Sequence, residues 1–290
     1  TITALRGQDY PNLEIVVSDN ASTDSTPEIV TRHAAADPRV HSIRQAENLG
    51  AAENYNEVFR AANGTYFAWN AHDDLTTPDF FSAGVAALEA DPTAVVAIAR
   101  PFRVDVDGTK MQEFPIPDEL GSDRPHVRFR AAARSNPGAI VFGLYRSEHL
   151  AQTHLHAHFS GSDRNFVAEM MLYGRLIRAG DSEFYLREHQ YRSVRSHGRE
   201  PGNRLSHARD AWYDPARVNR IVFPNWRRVG GYLSAVAGAR LGIRAAALCY
   251  VAVARLLIDD RMKLTKQLAF DVLAAVAQLA GKFRPRRHER

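Results

Sequence analysis

The sequence predicts an α/β fold in which a mostly parallel sheet is flanked by helices and followed by a helical C-terminal segment. The 290 residues, 45% of them apolar, are enough for a sizeable hydrophobic core. Short β-rich runs alternate with helical patterns early in the chain, which is typical of a sheet covered on both faces. Beyond residue 200 the patterns are helical. We therefore expect one domain over residues 1–200 and a helical segment over residues 201–290.

Hydrophobic periodicity and turn residues define the elements of the first part. Strands are predicted at 13–19, 40–44, 66–70 and 94–99, helices through 29–34, over 50–62 and from about Pro78, and a strand entering a hairpin turn at 104–108. Ligands of parallel sheets bind beyond the carboxyl ends of the strands. Asp19 and Asp73 each follow a strand, so we expect both on that rim.

Later elements are less regular. Prolines at 115, 117, 125 and 137 predict loops over 100–136, and residues 139–145 are a candidate buried strand. The spacing of Phe166, Met170, Tyr173 and Ile177 predicts a helix over 163–179 with Ser162 or Asp163 at its N-cap. Two long helices are predicted at 230–258 and 264–281.

Composition narrows the class of protein. Cys249 is the single cysteine, which excludes an intrachain disulfide and a thiolate zinc site and favours a reducing compartment. We find no apolar stretch long enough to span a bilayer and no signal-peptide pattern. The expected localisation is therefore cytoplasmic, with peripheral attachment to the inner face of the membrane as the alternative.

Charge is divided along the chain. Residues 1–200 carry 20 Lys and Arg against 27 Asp and Glu, a net −7, whereas residues 201–290 carry 17 against 6, a net +11. No basic and aromatic stripe runs through the larger part, which argues against a nucleic-acid partner. An acidic body with a basic segment suits a protein held near an anionic surface.

Motifs restrict the chemistry further. The sequence has neither a Gly-x-x-x-x-Gly-Lys phosphate loop nor a Gly-x-Gly-x-x-Gly after its first strand, which argues against a nucleotide hydrolase and a dinucleotide oxidoreductase. Asp19 with Asn20 and Asp73 with Asp74 form an acidic rim instead. Mg²⁺ or Mn²⁺ with a nucleotide diphosphate would compensate these carboxylates. The alternative is a solvated acidic pair that caps the helix at Pro78.

Three segments, 8–24, 47–54 and 63–74, together resemble the nucleotide-binding half of family-2 glycosyltransferases with the GT-A fold. The resemblance covers residues 1–197. It implies that the loop Asp19-Asn20-Ala-Ser-Thr-Asp24 holds the base and ribose of a nucleotide-sugar donor, with Asn48 as a further donor contact. It also implies that Asp73 and Asp74 bind the metal. The alternative is that Asn48 caps a helix and that Asn54 is an exposed side chain.

Two departures from the family pattern stand out. Ala71 occupies the first acidic position of the usual Asp-x-Asp motif, which leaves open whether Asp73 or Asp74 contacts the metal. The family also begins with a strand and a nucleotide-contacting turn that precede the point where this sequence starts. Thr1 to Gln8 correspond to the end of the first helix, so we expect an unpaired edge beside the strand at 13–19.

The resemblance also suggests residues for the general base, the metal and the leaving diphosphate. Asp163 lies in the segment that carries the general base, and the alternative is a helix cap. His189, with His197 as a rival, is the candidate to complete the metal shell, and Arg187 or Arg192 could neutralise the leaving diphosphate.

The C-terminal segment carries Arg240, Arg244 and Arg255 on one face of an otherwise apolar helix. Such a stripe can lie on an anionic membrane surface. The alternative is packing on the catalytic domain or in a homodimer.

The expected function is metal-assisted, inverting transfer of a sugar from a nucleotide diphosphate to a glycan or lipid-linked acceptor, as in polysaccharide assembly of the cell envelope. The alternatives are a nucleotidyltransferase of related fold and a non-catalytic nucleotide-sugar or glycan binder.

Overall fold

A computed structural model describes residues 1–135, 138–189, 211–217, 220 and 223–282. The first part alternates helices and strands. They are α1 (Ile2–Arg6), β1 (Ile15–Asp19), α2 (Thr26–Ala36), β2 (Val40–Arg44), α3 (Ala51–Ala61), β3 (Tyr66–Phe67), β4 (Leu75–Thr76) and α4 (Phe80–Ala90). The sequence predicted each of these positions except the short strand β4.

The remaining elements build the second half of the sheet and the C-terminal helices. They are β5 (Ala94–Val104), β6 (Lys110–Glu113), α5 (Pro125–Arg134), β7 (Leu144–Arg146), α6 (Ser147–Leu150), α7 (Ser162–Tyr173), β8 (Arg175–Arg187), α8 (Pro224–Gly238), α9 (Ile243–Asp259) and α10 (Arg261–Lys282). No helix in the described ranges has an apolar stretch long enough to cross a membrane.

The predicted α/β class is confirmed, with a sheet that mixes parallel and antiparallel pairing. The two longest ladders, β1 with β2 and β5 with β8, are parallel. A larger sheet has the order β3-β7-β5-β8-β4, with β6 paired to β5, and its shorter ladders are antiparallel. Among the described strands β1 pairs only with β2, so the expected unpaired edge is present.

Several predicted boundaries were wrong. The segment 100–136 is not a loop, because β5 continues to Val104 and Pro125 starts helix α5, where proline at the first position is favourable. The helix predicted to reach residue 179 ends at Tyr173, and β8 follows. Gly174 allows this turn because a Cβ there would lie 2.3 Å from Val95 Cγ1.

The C-terminal helices share the main hydrophobic core. The predicted helix 230–258 is interrupted between Gly238 and Ile243, so α8 and α9 fold back on each other. Buried residues of both helices join one cluster with residues of the sheet and of α5 and α7. Tyr232 of α8, for example, contacts the ring of Phe129 in α5 at 5.7 Å between ring centroids. This packing is one of the two arrangements expected for the segment.

Candidate functional site

The loop after β1 is organised by Asp19, which is buried. Its Oδ1 accepts a hydrogen bond from the backbone N–H of Ser22 at 2.9 Å, and its Oδ2 pairs with Arg44 Nη1 at 3.0 Å. Because Arg44 ends β2, this carboxylate ties the loop to the neighbouring strand end. Asp19 therefore shapes the rim of the sheet.

An amide pair joins this loop to the start of α3. Asn20 Nδ2 donates to Asn48 Oδ1 at 2.9 Å, and Asn20 Oδ1 accepts the N–H of Leu49 at 2.9 Å. Asn48 Oδ1 also accepts the N–H of Gly50 at 2.9 Å. The structure thus brings together Asn20 and Asn48, which are distant in sequence.

The structure places two further polar residues of the motifs, Asn54 and Asp24, in different surroundings. Asn54 accepts a hydrogen bond from Ser18 Oγ at 2.7 Å, and is half-buried. Asp24 instead accepts the N–H of Thr26 at 3.0 Å at the start of α2. Hydrogen bonds from the side chain and the backbone N–H of Thr26 lower the pKa of Asp24. Asp24 is therefore bound to its own helix start, outside the Asn20–Asn48 pair.

The second acidic motif meets the carboxyl end of β8. Asp73 Oδ2 shares a hydrogen bond with His189 Nε2 at 2.8 Å, with both side chains partly accessible. Asp74 is buried, and its Oδ1 accepts the backbone N–H of Arg187 at 3.1 Å. The predicted convergence of Asp73, Asp74 and His189 is therefore present. The other two candidates, Arg192 and His197, lie outside the described residues.

The structure identifies Tyr55 as a neighbour of the acidic pair that sequence reasoning missed. Burial, and then the carboxylates of Asp74 and Asp73, raise the pKa of its hydroxyl. The sequence carried no signal that Tyr55 lies near these carboxylates, because Tyr55 belongs to an ordinary amphipathic helix.

An aromatic cluster supports the loop that carries Asp73. Trp69 packs edge-on against His156 at 4.8 Å and Phe166 at 5.2 Å between ring centroids, and its Nε1 donates to the carbonyl of Tyr55 at 2.8 Å. Burial lowers the pKa of His156 to about 4, so this ring is neutral near pH 7. The cluster links the acidic loop to helix α7.

Asp163 lies in the first turn of α7, as the sequence predicted, but it is not the N-cap. Gly161, with φ of 87°, holds the N-cap position, and Asp163 Oδ1 accepts the N–H of Arg164 at 2.9 Å. The side chain is half-buried. Phe166, one turn further along α7, packs on Trp69 of the aromatic cluster, whereas the charge of Asp163 acts on Tyr232 of α8.

Glu169, the other carboxylate of α7, has a different environment. It is buried, and its two oxygens accept from the ring Nδ1 of His154 at 2.6 Å and from the backbone N–H of His154 at 3.0 Å. Ser234 of α8 lies 3.1 Å from the other ring nitrogen of His154. Burial raises the pKa of Glu169. These contacts hold α8 on α7.

The donor set at Asp73 and His189 matches part of a divalent-metal site. Neighbouring ligands of an octahedral Mg²⁺ lie about 3 Å apart, close to the spacing of these two atoms. Among the described residues, no three carboxylate, imidazole or thiolate groups form a metal cluster. A metal held here would need ligands from a bound molecule as well.

The loop after β1 and the acidic loop beside the end of β8 both carry polar side chains, an arrangement typical of the GT-A fold. The model of glycosyl transferase family 2 matches residues 1–147, which is half of the chain. The chain therefore belongs to glycosyl transferase family 2.

Curated relatives match shorter stretches of the chain. Uncharacterized protein Rv1520 of Mycobacterium tuberculosis is 36% identical over 115 residues, 39% of this chain and 33% of that protein. Bacillus subtilis TuaG, named as a teichuronic acid biosynthesis glycosyltransferase, is 34% identical over 79 residues, 27% of this chain and 31% of that protein. The matched segments thus span about a third of these relatives.

Solved structures extend the likeness in fold to most of the chain. S. aureus TarS 1–349 in complex with UDP has a TM-score of 0.58 and 15% identity over 88% of this chain and 65% of that chain. The complex of the same protein with UDP-GlcNAc has a TM-score of 0.58 and 16% identity over 94% of this chain and 76% of that chain. These values confirm the predicted GT-A fold.

Proposed function

We propose that the protein transfers a sugar from a nucleotide-diphosphate donor to a glycan or lipid-linked acceptor. The observation that carries this proposal is the acidic rim, where the Asn20–Asn48 loop and the Asp73–His189 pair lie at strand ends of a GT-A fold. Membership of glycosyl transferase family 2 supports it. TarS of similar fold binds UDP and UDP-GlcNAc, which supports a nucleotide-sugar donor here as well.

The donor's base and ribose are assigned to the loop after β1. Asp19 shapes this loop through Ser22 and Arg44, while the amide groups of Asn20 and Asn48 supply donors and acceptors at its edge. Asp24, which is bound to the start of α2, is assigned a lesser part. Polar side chains on preformed loops can orient a nucleotide without a Gly-rich phosphate motif.

Asp73 and His189 are the residues that would hold a divalent metal, Mn²⁺ or Mg²⁺. Asp74 is buried and holds the end of β8 through Arg187, so we assign it a positioning role. When bound, the ion would neutralise charge on the leaving diphosphate. The donor diphosphate would complete the ligand set.

Asp163 is assigned as the general base for the acceptor. An attacking sugar hydroxyl is a weak nucleophile, and the Asp163 carboxylate would accept its proton as the oxygen bonds to the anomeric carbon and the diphosphate leaves. One displacement of this kind inverts the anomeric configuration. The half-buried side chain at the start of α7 leaves room for such a contact.

A panel of nucleotide sugars tests the function. The chain is incubated with each nucleotide sugar, once with Mn²⁺ and once with chelator, and the release of nucleoside diphosphate is measured. Metal-dependent release from at least one donor supports the proposal. Binding without turnover would indicate a non-catalytic binder, and formation of nucleoside triphosphate with added pyrophosphate would indicate a nucleotidyltransferase. Either result would replace the proposal.

The C-terminal helices are assigned to a membrane surface that carries the acceptor. Arg240, Arg244 and Arg255 are exposed, and large apolar side chains beside them are exposed as well, with Ile243 at 90% and Ile258 at 60%. Cations next to apolar side chains match the headgroups and acyl boundary of an anionic bilayer. A role in polysaccharide assembly at the cell envelope, supported by the name of the relative TuaG, fits such an acceptor.

Vesicle sedimentation tests this assignment. We expect the chain to sediment with vesicles that contain anionic lipid and to be released by salt, because each Arg near such a surface contributes ~1 kcal/mol. Replacing Arg240, Arg244 and Arg255 by Gln should abolish sedimentation. A control with the exposed Arg32, Arg124 and Arg178 replaced by Gln should sediment like the wild type. A salt-independent dimer that ignores vesicles would show a homodimer interface instead.

A further inference from the structure

A cavity of about 300 Å³ opens at the end of the sheet opposite the acidic rim. Its walls come from the starts of β5 and β8, with Thr93 and Arg175, and from Arg128 of α5 and His149 of α6. Asp74 contacts the far end of β8, at Arg187. At about 3.3 Å per strand residue, these two ends lie roughly 30 Å or more apart. The cavity is therefore separate from the proposed donor site.

Arg128 is the unusual residue of this cavity, because no carboxylate of the described residues forms an ion pair with its buried charge. The residue is 4% exposed. Its Nε donates to the carbonyl of Met171 at 2.9 Å and its Nη1 to the carbonyl of Ser122 at 2.7 Å. Within the described residues, Nη2 makes no hydrogen bond and no carboxylate lies within ion-pair distance. A buried charge of this kind is costly without a counter-ion.

The nearest acids are engaged by the other arginine. Asp91 Oδ2 accepts from Arg175 Nη2 at 2.7 Å, and Asp123 Oδ1 lies 3.2 Å from Arg175 Nη1. The side chain of Asp123 is 88% exposed, so it is only loosely held at the mouth of the cavity. These contacts pair both acids with Arg175, so Arg128 receives only a longer-range attraction from Asp123.

His149 adds a second unsatisfied group to the same wall. Its Nδ1 is buried and makes no hydrogen bond in the described part of the chain, although Glu148 Oε1 lies 3.5 Å away. Burial lowers the pKa of His149 and also that of Arg128. Tyr173, also in the wall, already donates its hydroxyl to the carbonyl of Gln152.

We propose that this cavity binds a small molecule through an oxyanion, with Arg128 Nη2 and the ring of His149 as the hydrogen-bond donors. Its volume is at the lower end of the range of small-molecule sites, which suits a ligand of about one sugar unit. The oxyanion is either a phosphate, free or on a sugar, or the carboxylate of an acidic sugar. Both groups accept charge-assisted hydrogen bonds from a guanidinium N–H.

Calorimetric titration of the whole chain with inorganic phosphate and, separately, with glucuronate tests the proposal, in chelator so that metal-dependent binding is absent. We expect saturable binding of at least one probe. Tighter binding of phosphate identifies a phosphate ligand, and tighter binding of glucuronate identifies a carboxylate ligand. Arg128→Met should weaken the tighter probe at least tenfold, and circular dichroism checks that this variant is folded.

A second comparison does not depend on a buried substitution. Asp123→Asn removes a competing negative charge at the mouth of the cavity and should tighten the same probe at least threefold. Asp118→Asn, which removes an exposed charge that is not part of the cavity wall, is the matched control and should leave the affinity unchanged. The proposal is overturned if neither probe binds the wild type, or if the two Asn variants bind equally.

Discussion

The acidic rim and the C-terminal helices are stabilised in different ways. At the rim, loops are held by side chains that accept backbone N–H groups, as Asp19 does from Ser22 and Asp74 from Arg187. The helices are held by apolar burial, with Tyr232, Val236 and Cys249 in the shared core. A rim of this kind fixes polar atoms in defined positions, whereas packed helices tolerate variation on their outer faces.

The surfaces of the two regions differ as well. The rim belongs to the part of the chain with net charge −7, and the helices to the part with net charge +11. Helix α9 exposes apolar side chains such as Leu248 and Val251, whereas the exposed groups of the rim are polar. The comparison agrees with the proposed division, in which the rim carries the chemistry and the helices attach to a membrane, and α7 lies between them.

Asp163 of α7 gives the sharpest test of this division. Asp163→Asn should lower turnover by ~10²-fold or more, about 2.7 kcal/mol in activation free energy, because the acceptor's proton loses its base. Donor affinity should stay near that of the wild type, since the carboxylate acts on the acceptor. Steady-state kinetics and donor titration measure the two effects.

Glu169→Gln on the same helix is the control. Glu169 is bound to His154 and holds α8, so this change should reduce the free energy of unfolding and leave turnover within a few fold of the wild type. If instead Glu169→Gln lost turnover and Asp163→Asn kept it, the base would lie at the contact with the C-terminal helices, and the division would fail.

The metal assignment sharpens the comparison within the rim. Asp73→Asn should abolish the tightening of UDP or GDP binding by Mn²⁺, which we expect to be about tenfold, or about 1.4 kcal/mol. Asp74→Asn retains an oxygen acceptor for the N–H of Arg187 and should keep most of that tightening. Calorimetry with Mn²⁺ and with chelator measures both. Equal loss in the two variants would assign the metal to both carboxylates.

Much of the rim could be predicted from sequence because its contacts are local to strand ends. Asp19 lies at the end of β1 as expected, since parallel strands place the following loops on one edge. The resemblance alone suggested Asn48, which the structure joins to Asn20. The same logic placed Asp73 after the strand predicted at 66–70, and the resemblance alone suggested His189, which the structure brings to Asp73. Strand β1 followed directly from the apolar run at its start.

The remaining features depend on contacts between distant segments. The helical spacing of Phe166 and Tyr173 continues by coincidence to Ile177, and only the packing of Gly174 on Val95 shows that the helix has ended. The unpaired charge of Arg128 is equally invisible in sequence, because its partners are backbone carbonyls of other elements. Periodicity reports which face is buried, and it does not report the neighbour.

The smallest predicted effect tests how closely the C-terminal helices fit the body of the protein. Gly231 of α8 faces Asn165 of α7, and a Cβ at Gly231 would lie 2.3 Å from Asn165 Nδ2, whose amide donates to the carbonyl of Arg228 at 2.8 Å. The next residue back, Gly230, is exposed and has nothing within 4 Å of such a Cβ.

Gly230→Ala should therefore raise the free energy of unfolding by about 0.8 kcal/mol through helix propensity alone. Gly231→Ala gains the same propensity but overpacks the contact by about 1–3 kcal/mol, so it should be about 1 kcal/mol less stable than the wild type. Urea unfolding of the two variants measures the difference, and two equally stabilised proteins would show that α8 is only loosely packed on α7.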